Sequence, residues 1–176
     1  MTGVQTCALP IYPDAPALEL LASWLGGSPN SKLASALVGE WHLAVAAQAG
    51  FSAQKEGSLL WTMAVVPPGA DSAAVENALL DLTRSVAKRA PEAFEVERAR
   101  RELEAGVLFL LQSARQRSQA LGDAELLAGD AAAAARRIEA FHKLTGEDLR
   151  RVAARVMNDT GRATVWMLPA APGGAR

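Results

Sequence analysis

The chain has 176 residues, half of them hydrophobic and 21% charged, which is enough apolar content and length to bury one core. Eighteen basic side chains stand against nineteen acidic ones, and Arg98, Arg100, Arg101, Arg136, Arg137, Arg150 and Arg151 are interleaved with Glu and Asp, so there is no basic field to attract nucleic acid. Arg, Glu or Gly interrupts every apolar run well short of the roughly eighteen residues that a membrane span needs.

Residues 2–11, TGVQTCALPI, read as a translated frame of a short-read sequencing adapter. Residues 1–11 are therefore expected to be an artefact, with the first strand of the domain missing and the true chain continuing upstream of Tyr12. The start carries no positive region and long apolar core of a signal peptide. On this reading that says nothing about localisation, which stays open between the periplasm or cell envelope and elsewhere. The single cysteine, Cys7, falls in the same segment and leaves the rest of the chain without thiol chemistry.

Leu18, Leu21, Ala22 and Leu25 recur at helical spacing, with Asp14 near the start and Gly26-Gly27 at the end. Ser28-Pro29-Asn30-Ser31 is a turn, and a short second helix is predicted through Leu33 and Leu37 to about Trp41. A strand over Leu43 to Phe51, a polar turn at Gln54 to Gly57 and a strand over Ser58 to Val66 form a hairpin, the last strand apolar on both alternating faces and stopped by Pro67-Pro68-Gly69. Asp71 is a predicted N-cap for a helix with Val75, Leu79, Leu82 and Val86 on its buried stripe. A longer helix opens at Pro91-Glu92 with the stripe Val96, Ala99, Leu103, Val107, Leu110 and Ala114. Gly106 inside it is expected to permit close packing or a slight bend. Gly122 and Gly129-Asp130 punctuate two shorter helices, the second carrying Ile138 and Phe141. Thr145 to Asp148 has the form of a capping box before Leu149, Val152, Ala153 and Val156. Ala163 to Leu168 alternates as a final strand, and residues 170–176 form a Pro/Gly-rich tail expected to be disordered. Hairpin connectivity with grouped helices indicates α+β, with helices packed on one face of an antiparallel sheet.

Three segments carry a resemblance to a known family. The first runs from Asp14 to Val45, with Ala17-Leu18-Glu19-Leu20-Leu21, Trp24-Leu25-Gly26-Gly27, Ser31-Lys32-Leu33, Leu37-Val38-Gly39-Glu40 and Leu43-Ala44. The second is Pro67-Pro68-Gly69-Ala70-Asp71, and the third is Leu144-Thr145-Gly146-Glu147-Asp148-Leu149 with Val152-Ala153 and the closing Val165 to Pro169. Over residues 12–169 the chain resembles the non-catalytic repeat domain of the pitrilysin/insulinase zinc peptidases, whose α+β domains pair into a clam-like chamber.

The resemblance implies zinc in a catalytic half, held by His-x-x-Glu-His on a helix plus a distant Glu. This sequence has two histidines, His42 and His142, a hundred residues apart and without that pairing. No catalytic, cofactor-binding or metal-binding residue is assigned. Where many family members place an Arg and a Tyr to hold substrate, Val38 and Val45 stand, and neither offers a hydrogen bond. Trp24, Trp41, Trp61 and Trp166 are expected in the core. The implied function is a non-catalytic chamber-wall or scaffold domain of a zinc metallopeptidase, inactive alone. Its partners would be a catalytic half on the same or another chain and unfolded peptides, with no nucleic acid and no membrane span. The alternative is a non-peptidase assembly protein of the same fold.

Overall fold

The computed structural model describes residues 2–8, 14–54, 57–158 and 161–167. Four strands, β1 (Thr2–Ala8), β2 (Ala46–Ser52), β3 (Ser58–Val65) and β4 (Arg162–Trp166), make one sheet in the order β2-β3-β1-β4, and every neighbouring pair is antiparallel. The helices are α1 (Ala15–Gly26), α2 (Ser72–Lys88), α3 (Ala93–Leu110), α4 (Ala114–Ala128), α5 (Ala133–His142) and α6 (Gly146–Val156), with a π-helix over Ala34–Glu40. The fold is α+β, as the grouping of predicted elements requires.

Alternation along β3 separates the two faces of the sheet. Ser58, Leu60, Thr62 and Ala64 are buried beneath the helices, while Leu59, Trp61, Met63 and Val65 are half-buried on the opposite, open face. α1 lies at the centre. Ala17, Leu18, Leu20, Leu21, Trp24 and Leu25 are all buried, because the helix packs on β2 on one side and on α3 and α6 on others, and a helix covered all round is apolar all round. Asp14 does not use its side chain as an N-cap. Its buried carboxylate accepts hydrogen bonds from Arg151, at 2.9 Å, and from Arg155, tying the start of α1 to α6. Removing the water from one carboxylate is tolerable here because two guanidinium groups replace it.

The expected caps at Asp71 and Thr145 are present. Asp71 Oδ1 accepts from the amides of Ala73 and Ala74 at 2.9 and 3.2 Å, and Thr145 and Asp148 close a reciprocal box at 3.3 and 3.0 Å.

Several expectations are corrected. The first strand is not missing: residues 2–8, expected to leave a gap, fill the slot between β3 and β4 and pair with both. The physical reason is that a central slot presents backbone donors and acceptors on two sides, which an extended segment with alternating Thr2, Val4 and Thr6 can satisfy whatever its side chains. The α3 stripe is buried only at Val96, Ala99 and Val107. Leu110 and Ala114 are exposed because the second half of α3 projects past the core, and no residue of α4 is buried. Gly106 is exposed with nothing within 4 Å of a Cβ placed there, so it serves no close packing. Of the four tryptophans only Trp24 is in the core. Trp41 is 43% exposed, Trp61 lies on the open face of the sheet, and Trp166 is half-buried with its Nε1 donating to Glu76 at 3.2 Å. The expected tail over 170–176 lies outside the described residues.

Candidate functional site

A groove of about 850 Å³ runs along the outer edge of β2, walled by the turn after α1 and by the π-helix. Its shape follows from small residues. Gly26, the last residue of α1, sits so close to β2 that a Cβ there would lie 2.0 Å from the Ala49 backbone nitrogen. Glycine allows the helix end to rest directly on the strand. The chain then turns through Ser28 to Ser31, closed by the Ser31 amide donating to the Ser28 carbonyl at 3.0 Å.

Hydrogen bonds from Trp41 N to Ala36 O at 2.8 Å and from both Leu43 N and Ala44 N to Leu37 O, at 2.8 and 3.0 Å, form the wide turn that ends the π-helix. These last two bonds take Leu43 and Ala44 out of the sheet, so β2 starts at Ala46 and not at the predicted Leu43. His42 follows in the left-handed region, at φ 52°, and its Nδ1 donates to Val38 O at 2.9 Å. His42 is therefore a helix-end residue.

Val38 and Val45, seven residues apart, meet in the groove, Val38 packed partly against the core and Val45 60% exposed. Ser28 also lines it, with its hydroxyl oxygen buried and without a hydrogen-bond partner. The two faces of β2 both reach the groove, Ala47 and Ala49 from the helix side and Ala46 and Gln48 from the open side, because no described strand lies beyond this edge. Next along β2, Gly50 pairs with Trp61 of β3, whose indole packs against it. A Cβ on Gly50 would be 2.3 Å from the ring. The Gly50 and Trp61 pair was not among the residues singled out from sequence. The signal was there: a hairpin closing symmetrically about Gln54 to Gly57 puts Gly50 opposite Trp61, and an interior strand glycine marks a close approach.

The histidines are not brought together as ligands. His142 stands at the end of α5, its Nε2 3.2 Å from Glu104 of α3, while His42 is occupied at the end of the π-helix. Among the described residues no three His, Cys, Asp or Glu side chains share a place where a metal ion could sit, whereas zinc takes about four ligands, so the residues present do not fit a zinc ion. The charge pairs are structural: Arg100 caps the chain after α5 by donating to Phe141 O and Leu144 O at 3.0 and 2.9 Å and also pairs with Glu97, whose carboxyl is held below its ordinary value first by the hydrogen bond from Arg101. No described helix is long and apolar enough to cross a membrane.

The described part is an α+β domain with a groove lined by small side chains and backbone. Residues 3–103 match the model of the peptidase M16 inactive domain, and the chain belongs to that family. Solved structures share the fold. A protease from Helicobacter pylori superposes with a TM-score of 0.86 at 23% identity, over 96% of this chain and 41% of that one. The inactive peptidase domain of a proposed zinc protease from Bordetella parapertussis gives 0.83 at 21% identity, over 97% and 91%. A chain of complex III2 from Candida albicans gives 0.78 at 12% identity, over 93% and 41%. This chain thus spans about two fifths of the Helicobacter pylori chain. No curated protein matches the sequence.

Proposed function

We propose that this domain is one wall of a peptide-holding chamber whose zinc-bearing half lies on the same or a partner chain, and that it encloses and positions peptides without cleaving them. The observation that carries this reading is the open face of β3. Leu59, Trp61, Met63 and Val65 are apolar and half-buried, although the described helices pack on the opposite face of the sheet. An apolar sheet face next to a groove suits a surface that faces a partner or an unfolded peptide. With Val38 and Val45 in the groove, hydrogen bonds to a peptide would come from the backbone. Enclosure contributes by holding substrate still and excluding bulk water.

The test is to purify the chain alone and together with a co-expressed half bearing His-x-x-Glu-His. Alone it should retain no stoichiometric zinc after dialysis and cleave no quenched fluorescent peptide. The complex should cleave unfolded peptides and spare folded proteins. A catalytic half that is fully active and equally size-selective without this domain would defeat the reading. A second reading, an assembly protein of the same fold, draws on the similarity to the Candida albicans complex III2 chain. It predicts a stable complex with a partner that lacks the zinc motif.

A further inference from the structure

We propose that the corner between α3 and α4 is a lipid-contacting tip, which inserts Leu108, Phe109 and Leu110 into the surface of an anionic bilayer while Arg115 and Arg117 meet its headgroups. The inference is independent of the peptide-holding reading above. Val107 is the last buried residue of α3, and past it the helix leaves the core with Leu108, Phe109 and Leu110 each at least half exposed, Phe109 at 72%. Consecutive helical residues point about 100° apart, so these three side chains fan over roughly 200° around the end of the helix. A protein surface laid against one side of the helix would leave at least one of them in water. A fluid that surrounds the end covers all three, and the boundary between headgroups and acyl chains is such a fluid.

Charge selects the kind of bilayer. Elsewhere in the chain arginines are interleaved with acids, but residues 105–122 carry Arg115 and Arg117 and no acidic side chain. The corner itself is tight: Gln112 N donates to Phe109 O at 3.2 Å and Ser113 N to Leu110 O at 3.3 Å, and α4 starts at once. The Arg117 guanidinium donates to Leu111 O at 3.3 Å, which holds a cation beside the apolar residues, and Arg115 is exposed on the same first turn of α4. Apolar side chains at the extremity with arginines just behind them match the order of acyl chain and anionic headgroup across a membrane surface. Further along α4, Asp123 and Glu125 would be repelled by the same headgroups, so the contact is confined to the corner. It is a contact and not a span, since no described helix is long and apolar enough to cross a membrane.

The experiment sediments the full chain with vesicles of phosphatidylcholine alone and of phosphatidylcholine with about a third phosphatidylserine. Each arginine near an anionic surface strengthens binding about fivefold, so the anionic vesicles should bind at least about tenfold more tightly than the neutral ones. Raising the salt concentration should erase that difference. Arg115→Gln together with Arg117→Gln should bring the two vesicle types to within about twofold of each other, whereas Phe109→Asp should abolish binding to both and Phe109→Leu should keep most of it. Because Phe109 is mostly exposed, its variants should melt with the unaltered chain in circular dichroism. Should Arg117→Gln unfold the corner by removing the bond to Leu111 O, Arg115→Gln alone, expected to weaken anionic binding about fivefold, still decides. No sedimentation with anionic vesicles, equal affinity for both vesicle types, or undiminished binding by Phe109→Asp would each overturn the proposal. So would a dimer in vesicle-free solution that Phe109→Asp dissolves, since a second copy would then be what covers the tip. Loss of the chamber's effect on cleavage leaves the vesicle measurements unchanged, so the two readings fail separately.

Discussion

A methyl group added at Gly26 would meet the Ala49 backbone nitrogen at 2.0 Å and the Gln48 carbonyl carbon at 2.5 Å, whereas one added at Gly106 would meet nothing within 4 Å. Backbone atoms of a paired strand cannot swing aside as a flexible side chain can. Gly26→Ala should therefore destabilise the domain by about 1–3 kcal/mol through overpacking, and it should narrow the groove because α1 has to lift from β2. Gly106→Ala should stabilise by roughly 0.5–1 kcal/mol by restricting the unfolded chain and favouring the helix. Urea unfolding of both variants checks the pair, and equal shifts of the same sign would contradict the packing described. In sequence both positions read alike, as glycines within or ending a helix. Only the neighbour across space distinguishes them, because steric cost depends on what occupies the Cβ position and not on the helix that carries it.

Among the elements, α6 was the most legible, since a capping box is chemistry between residues three apart and needs no tertiary partner. Thr145→Ala removes the oxygen that accepts from the Asp148 amide and should cost about 1 kcal/mol in denaturant unfolding. The Asp148 carboxyl is held below its ordinary value of 3.8, first by the Thr145 hydroxyl, then by the Thr145 amide and Arg151. A depressed carboxyl contributes stability that is complete above its unfolded value and is lost as pH falls through its folded value. The domain should thus lose this increment only below about pH 4, and Asp148→Asn should flatten the pH dependence of the melting temperature there. A variant whose acid-side slope matches that of the unaltered chain would argue against the cap as its source. The helical stripes were less complete as a guide. The α3 stripe continues in sequence to Ala114, yet Leu108, Phe109 and Leu110 are exposed, Phe109 at 72%. Periodicity states which face would be buried, and another element has to arrive to bury it.

For the molecule as a whole, β1 is the element on which the sheet depends, since it joins β3 to β4 and thereby the hairpin to the last strand of the chain. Deleting residues 1–11 opens two edges at once. It should lower the melting temperature by roughly 10 °C or more, given that about 1 kcal/mol moves a domain of this size by about 2–4 °C, and it should promote self-association seen in light scattering. An unchanged melting temperature and a monodisperse solution would indicate that the segment contributes nothing to the sheet, as its adapter-like sequence suggests. The sequence by itself determined the α+β class, the hairpin, the caps, the family resemblance and the want of a His-x-x-Glu-His pairing, because each is written in local spacing or in which residue types are present at all. Tertiary structure decided that residues 2–8 occupy the central slot, that Val38 and Val45 share one groove, and that Trp61 packs against Gly50 of β2. Those are relations between residues far apart in the chain, made through backbone pairing and through the absence of side chains at glycine and alanine, which carry no chemical signature of their own until the fold sets something beside them.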